Sequence, residues 1–232
     1  MKKCGVLIME NQQFENLQYV VTQPSCSKEK RHPTIIFLHG AGSRGNDIAL
    51  LRENPFFAEN SQVNCGDFPF SVFAPLCYSN TWFDIFEQLQ RFVKMVSDHP
   101  EVDSERVYLL GTSMGGYGAW QLAMTMPDVF AAVVPICGGG MKWNAARLKD
   151  IPVWAFHGKD DQSVPPIQSI QMVDAVNAAG GNATLTLLDN TAHNCWSYAY
   201  GLRELFDWML NYKKTTPCCV SDDSYKGSQQ FG

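Results

Sequence analysis

The sequence has no long run of like charge, and none of its apolar runs approaches the roughly 20 residues that a membrane-crossing helix needs. Its 18 Lys and Arg residues and 23 Asp and Glu residues give a net charge of −5, spread along the chain. The absence of a basic patch argues against nucleic acids and anionic membranes as partners. The apolar run at residues 6–9 is too short for a secretory signal. We therefore expect a cytoplasmic protein.

Cysteines at metal-ligand spacing are also missing. None of the eight cysteines belongs to a C-x-x-C pair, and no histidine spacing indicates a metal site. The chain has 232 residues, 45% of them hydrophobic, and can build a core without disulfides. Several cysteines lie in apolar runs, where we expect reduced thiols. We therefore expect neither a metal nor a cofactor; the adjacent Cys218 and Cys219 receive no role, and the oligomeric state stays open.

Short apolar runs rich in β-branched residues alternate with helical patterns, which is typical of a mostly parallel sheet flanked by helices. We expect one α/β domain over residues 1–212 and a loose polar tail at 213–232. The expected strands cover residues 34–40, 70–75, 106–111, 131–139, 152–158 and 184–190. The expected helices cover residues 86–96, a stretch ending at 126 before Pro127, 167–181 and 196–212.

The segment LLGTSMGGYGAW, at residues 109–120, joins an expected strand directly to an expected helix. It has no lysine followed by Ser or Thr, and its glycines lack the G-x-G-x-x-G spacing, so neither nucleotide-binding loop fits. It does contain G-x-S-x-G, formed by Gly111, Ser113 and Gly115. In such a turn the serine has a strained backbone, and the two glycines leave room for the neighbouring strand and helix. The pattern predicts Ser113 as a nucleophile.

A serine nucleophile needs a base and an acid that orients the base. On a parallel sheet these residues should follow later strands, because ligands bind beyond the carboxyl ends of the strands. His193 follows the last expected strand, and Asp160 and Asp161 follow the one before it. We prefer Asp161, because the phrase H-G-x-x-D-x-x-V-P is typical of serine hydrolases. Two other histidines, His39 and His157, precede glycines at strand ends and are expected to brace their loops.

Four phrases together resemble the α/β-hydrolase superfamily. They are FLHGAGSRGND, the long block from RVYLLGTSMGG to PICGG, PVWAFHGKDDQSVP and AHNCWSYAYGLRELFDWML, and they span most of the chain. More closely, they are similar to the single-domain esterases grouped with the phospholipase/carboxylesterases and the so-called predicted peptidases. The resemblance implies an α/β-hydrolase fold and a serine esterase that uses Ser113, Asp161 and His193. The short segment at residues 138–150 leaves no room for a large lid.

The resemblance also implies an oxyanion hole built from two backbone N–H groups. One belongs to Met114, which follows the nucleophile, and the other to Ala41 or Gly42 in the HGAG loop. Side-chain identity matters little at these positions, because the backbone donates the hydrogen bonds.

Three tryptophans near the expected active edge are candidates for a flat aromatic groove; packing in the core or on the surface is the alternative for each. They are Trp82, Trp143 and Trp196. Arg44 could meet a substrate carboxylate or pair with Asp47. We expect hydrolysis of small or aromatic acyl esters, including feruloyl or acetyl esters of plant polysaccharide. A peptidase or thioesterase of the same fold and an inactive binding module are the alternatives.

Overall fold

One eight-stranded sheet organises the chain. The computed structural model describes residues 8–25, 29–58, 61–65 and 67–214. The strands lie in the order β1-β2-β4-β3-β5-β6-β7-β8 across the sheet. They are β1 (Met9–Phe14), β2 (Leu17–Thr22), β3 (His32–Leu38), β4 (Ser71–Pro75), β5 (Val102–Thr112), β6 (Ala132–Ile136), β7 (Val153–Gly158) and β8 (Ala183–Leu188).

The strands from β3 to β8 pair in parallel. Their carboxyl ends therefore meet at one edge of the sheet, and this edge carries the loops that the sequence singled out. The predicted α/β class and the mostly parallel sheet are confirmed.

The sequence analysis missed the hairpin of β1 and β2, which pairs antiparallel and joins the sheet through β4. Strand β1 has the sequence MENQQF, and most of it is exposed at the edge of the sheet. A polar edge strand lacks the apolar run by which the buried strands are recognised. Its turn places Glu15 at a φ of 53°, a conformation that sequence patterns rarely reveal for a residue other than glycine, asparagine or aspartate.

Helices cover both faces of the sheet, and each face has its own core. One core includes α2 (Phe86–Ser97), α3 (Met114–Thr125) and α4 (Ile167–Ala178). The other includes α1 (Ala49–Arg52), α5 (Trp196–Gly201) and α6 (Arg203–Leu210). This arrangement leaves the strand ends open between the two helical layers.

The predicted single helix at residues 196–212 is two helices. Leu202 separates α5 from α6 with an extended backbone (φ −84°, ψ 105°). Tyr200 of α5 and Leu205 of α6 pack into the same core. Between β6 and β7 there is one short 3-10 segment, Lys142–Leu148, in keeping with the absence of a large lid.

In the described ranges, Cys65, Cys77, Cys137 and Cys195 are free thiols, and no cluster of His, Cys, Asp or Glu could hold a metal. No helix in those ranges is both long and apolar enough to cross a membrane. Cys218, Cys219 and most of the expected tail lie outside them. The domain limits at residues 1–212 stay a prediction.

Candidate active site

Ser113 occupies the turn between β5 and α3. Its backbone has φ 55° and ψ −115°, a strained conformation for a residue with a side chain. Its N–H donates to the carbonyl oxygen of Ile136 in the neighbouring strand, at 2.9 Å. Helix α3 begins at the next residue, so the first N–H groups of the helix and its positive dipole end lie beside the Ser113 hydroxyl.

The glycines around Ser113 are required by close backbone approaches. A Cβ atom on Gly111 would lie 2.1 Å from the carbonyl oxygen of Gly115. A Cβ atom on Gly115 would lie 2.0 Å from the carbonyl oxygen of Leu38 in β3. Real Cβ atoms do not approach other atoms this closely, so the G-x-S-x-G pattern reflects clearance around the turn.

Ser113, His193 and Asp161 form one hydrogen-bonded chain. The Ser113 hydroxyl lies 2.8 Å from His193 Nε2, and His193 Nδ1 lies 2.6 Å from Asp161 Oδ2. Because the carboxylate can only accept, Nδ1 carries the proton and Nε2 is free to accept from the serine. The three residues come from loops after β5, β7 and β8, which the parallel sheet brings to one edge.

Asp161 is held as a carboxylate although only 2% of it is exposed. Burial alone would raise the pKa of Asp161, but His193 and the N–H groups of Val164 and Ser163 hold that pKa below its ordinary value. Both N–H groups donate to Oδ1 at 2.9 Å. The adjacent Asp160 is exposed and takes no part in this chain.

The loop after β3 supplies the second wall of the site. Residues Ala41–Ser43 form a 3-10 turn, and the first N–H groups of such a turn have no partner within it. The loop is braced by His39, whose Nδ1–H donates to Gly40 O at 2.7 Å and whose Nε2 accepts from Cys77 N at 3.0 Å. Burial lowers the pKa of His39 to about 4, so the ring is neutral near pH 7. This is the bracing role that the sequence predicts for His39.

A cavity of about 280 Å³ opens at Ser113 and His193. Its walls combine the 3-10 turn after β3 with aromatic residues of α5, Trp196 and Tyr200. The Trp196 ring stands edge-on to the His193 ring, with 5.5 Å between the centroids. Of the three tryptophans predicted to form a groove, Trp196 is the one that lines this cavity.

The predicted groove role of Trp82 is wrong. Its side chain is fully buried, and the indole N–H donates to the carbonyl oxygen of His39 at 3.0 Å. Trp143 is 77% exposed but does not line the cavity, because it lies in the 3-10 segment after β6. Arg44 also lies outside the cavity lining; its guanidinium donates to Asn80 O at 3.0 Å, and the Asp47 side chain instead accepts from Ala49 N.

A second, more apolar cleft lies on the other face of the sheet, and sequence reasoning missed it. Tyr117, one turn of α3 beyond Ser113, forms part of its wall together with Phe83, Phe86 and Met141. Phe83 and Met141 are among the few large apolar side chains exposed in the described chain. The signal available in the sequence was the pair of phenylalanines that follows Trp82.

Comparison with known proteins supports the fold. A solved structure described as a thermostable esterase has a TM-score of 0.74 and 27% identity, covering 90% of this chain and 64% of that chain. A ferulic acid esterase has a TM-score of 0.66 and 16% identity, covering 88% of this chain and 97% of the other. These likenesses confirm the α/β-hydrolase fold that the sequence motifs predict.

Among curated proteins, poly(3-hydroxyalkanoate) depolymerase C of Paucimonas lemoignei is 29% identical over 136 residues. The match covers 55% of this chain and 32% of the depolymerase. The chain thus spans about a third of the depolymerase and less than two thirds of the thermostable esterase. A family model matches residues 72–199, which is more than half the chain and includes Ser113, Asp161 and His193. The protein belongs to the dienelactone hydrolase family.

Proposed function

We propose that this protein is a serine carboxylic-ester hydrolase that works through an acyl-enzyme. The observation that carries the proposal is the hydrogen-bonded chain from Ser113 Oγ to His193 and from His193 to Asp161, at 2.8 and 2.6 Å. A hydroxyl, an imidazole and a carboxylate in this order match the nucleophile, base and orienting acid of acyl transfer.

The proposed reaction begins when Ser113 Oγ attacks the ester carbonyl and its proton passes to His193 Nε2. Asp161 stays ionised and stabilises the imidazolium through Nδ1–H. The N–H of Met114 and that of Ala41 or Gly42 donate to the oxyanion, and loss of one such donor costs about 2.7–4 kcal/mol. The tetrahedral intermediate collapses, and the leaving alcohol takes the proton from Nε2. Water then attacks the acyl-enzyme by the same route, releasing the acid and restoring Ser113.

The substrate proposed is an ester with a small or aromatic acyl group. The small cavity beside Ser113 and its aromatic wall of Trp196 and Tyr200 support this choice. The likeness to a ferulic acid esterase adds support for feruloyl esters, and acetyl esters of plant polysaccharide would also fit a cavity of this size. A cytoplasmic location remains part of the proposal.

The test is a panel of p-nitrophenyl and hydroxycinnamoyl esters, with a peptide anilide and a thioester alongside. We expect ester turnover by the unchanged protein and a loss of at least about 10³-fold in kcat for Ser113→Ala. A fluorophosphonate probe should label the unchanged protein and Ser104→Ala, a control at the opposite end of β5, but not Ser113→Ala.

Each alternative has its own outcome in this experiment. Faster turnover of the anilide than of the esters would indicate a peptidase, and preference for the thioester would indicate a thioesterase. Failure of the probe to label Ser113 in a folded protein, without turnover of any substrate, would indicate an inactive binding module. Unchanged ester turnover by Ser113→Ala would contradict the proposed mechanism.

A further inference from the structure

A second, fully buried histidine lies against the proposed catalytic acid. His157 is the second-last residue of β7, and its Nε2 atom lies 2.9 Å from Val164 O and 3.2 Å from Asp161 Oδ2. Both neighbours are acceptors, so Nε2 must carry a proton. We propose that His157 is a positioning residue for Asp161, fixing through Nε2–H the carboxylate oxygen that serves His193. This inference rests on the proposed function, because it assigns a role within the same site.

The carboxylate of Asp161 is surrounded by donors. Oδ1 accepts the two N–H groups of Ser163 and Val164, and Oδ2 faces the Nδ1–H of His193 at 2.6 Å and the Nε2–H of His157 at 3.2 Å. Because Oδ2 is shared, the position of His157 bears directly on the bond that orients the proposed catalytic base. Val164 also connects His157 with Asp161. Its N–H donates to the Asp161 carboxylate, and its carbonyl oxygen accepts from His157.

The other side of the His157 ring is anchored to α4. Nδ1 lies 2.7 Å from the hydroxyl of Ser169, a buried residue of α4. That hydroxyl also lies 2.9 Å from the carbonyl oxygen of Gly138, in the loop after β6. In the neutral ring Nδ1 carries no proton, so the Ser169 hydroxyl donates to it, and this single proton is then not available to Gly138 O. Rotation of the imidazole would break contacts at both ring nitrogens, so the ring transmits a fixed geometry from α4 to the Asp161 carboxylate.

The protonation state of His157 follows from its surroundings. Burial lowers the pKa of His157, although Val164 O and Asp161 act in the opposite direction, so the ring is a neutral donor near pH 7. The other titratable groups that interact with Asp161 are His193, Tyr117 and Cys137. Burial raises the pKa of both the Tyr117 hydroxyl and the Cys137 thiol, so both groups are neutral near pH 7.

Two consequences follow from a donor shared at Oδ2. First, the carboxylate cannot rotate away from His193 without losing His157 as well. Second, the Nε2–H of His157 draws electron density from Oδ2 and so moderates its strength as an acceptor toward the His193 ring. Removal of this donor should misalign the acid and also favour the protonated form of the base.

The test compares two amides that mimic different nitrogens of the ring. In His157→Gln the side-chain amide reaches the place of Nε2 and keeps a donor near Asp161; in His157→Asn it reaches only the place of Nδ1 and keeps the Ser169 contact. We expect His157→Asn to lower kcat by one to two orders of magnitude, since small misplacements in a site have effects on the order of 10². Its KM should stay within about twofold, and His157→Gln should recover most of kcat.

The pH profile separates positioning from mere structural support. In His157→Asn the acidic limb of kcat/KM should move to higher pH, because the base then faces a stronger acceptor and retains its proton longer. A variant that was only less stable would leave this limb in place. Each rate is divided by the concentration of active sites titrated with the fluorophosphonate, so that unfolded protein does not count as lost activity.

Ser169→Ala is the second variant, for the case in which His157→Asn does not fold. It removes the Nδ1 partner and leaves Nε2 in place, so kcat should fall less than in His157→Asn, with KM unchanged. Unchanged kcat per titrated site in His157→Asn, or in Ser169→Ala if the former does not fold, would overturn the inference. So would equal losses in the Asn and Gln variants. If Ser113 proved dispensable for ester turnover, the proposed function itself would fail; loss of activity in Ser113→Ala with normal His157 variants would reject only the positioning role.

Discussion

The carbonyl oxygen of Leu38 lies 2.0 Å from the place that a Cβ atom would occupy on Gly115. This approach packs the first turn of α3 against the end of β3 and so holds Ser113 next to the 3-10 turn of residues 41–43. The obstacle is backbone rather than a flexible side chain, and backbone on a central strand cannot move aside cheaply.

Gly115→Ala should therefore lower the free energy of unfolding by about 3 kcal/mol, the upper end of the cost of overpacking, or prevent folding. The matched control is Gly42→Ala, because a Cβ atom on Gly42 would meet nothing within 4 Å. Urea unfolding of both variants measures the difference. Equal stability of the two would contradict the assignment of Gly115 to steric clearance.

Asp161→Asn should abolish most of the activity while leaving the fold intact. An amide at this position can present its NH₂ group to His193 and favour the wrong tautomer, which in a Ser-His-Asp triad lowers kcat by about 10⁴. Asp160→Asn is the control, since Asp160 is the adjacent exposed carboxylate and lies outside the hydrogen-bonded chain. Steady-state kinetics on one p-nitrophenyl ester suffice. A larger loss in Asp160→Asn than in Asp161→Asn would reverse our choice of acid.

Trp82→Phe should reduce stability rather than substrate binding. The substitution leaves the His39 carbonyl without its indole donor inside the core, and an unsatisfied buried group costs about 1–3 kcal/mol. Trp196→Phe, in the wall of the cavity, should have the opposite pattern: a raised KM for aryl esters with little change in thermal stability. Thermal melts and KM values are measured for both. A changed KM with an unaltered melting temperature in Trp82→Phe would contradict the structural role of this side chain.

His39 should make the protein less stable in acid. Its pKa falls from 6.5 to about 4 on folding, so the unfolded chain binds a proton more readily between these values. The contribution of His39 to the free energy of unfolding is fully present above about pH 6.5. It declines as the pH falls toward 4, by about 3 kcal/mol in total. His39→Gln, which cannot titrate, should show a shallower decline in unfolding free energy from pH 7 to pH 4. Identical slopes for the two proteins would exclude His39 as a source of this dependence; His157, whose pKa is also lowered, contributes to both.

Local sequence predicted the members of the hydrogen-bonded chain because each of them follows a strand of the parallel sheet. The runs that precede Ser113, Asp161 and His193 are apolar and β-branched, and parallel strands deliver their carboxyl ends to one edge. The steric role of the two glycines in G-x-S-x-G could also be predicted from those five residues alone. Strand order brings the loops of Ser113, Asp161 and His193 to one edge, but the roles of these residues stay predictions until the variants are measured.

The tryptophans show where this kind of prediction stops. Trp82 and Trp196 both follow strands of the same edge, yet one indole points into the core toward His39 and the other toward the cavity. Position along the chain places a residue at an edge but does not determine the direction of its side chain. The exposed β1 strand and the break at Leu202 were missed for a related reason, because neither has an apolar pattern of its own.

The sequence by itself indicated the six strands β3 to β8, the clearance around Ser113 and the identity of the three residues in the hydrogen-bonded chain, because these leave local patterns a few positions long. Only the tertiary structure decided which tryptophan faces the cavity and that His157 lies 3.2 Å from the Asp161 carboxylate. Only three residues lie between His157 and Asp161, but their contact depends on Ser169 in α4 holding the ring in place. Such contacts arise from packing between segments that lie far apart in the sequence.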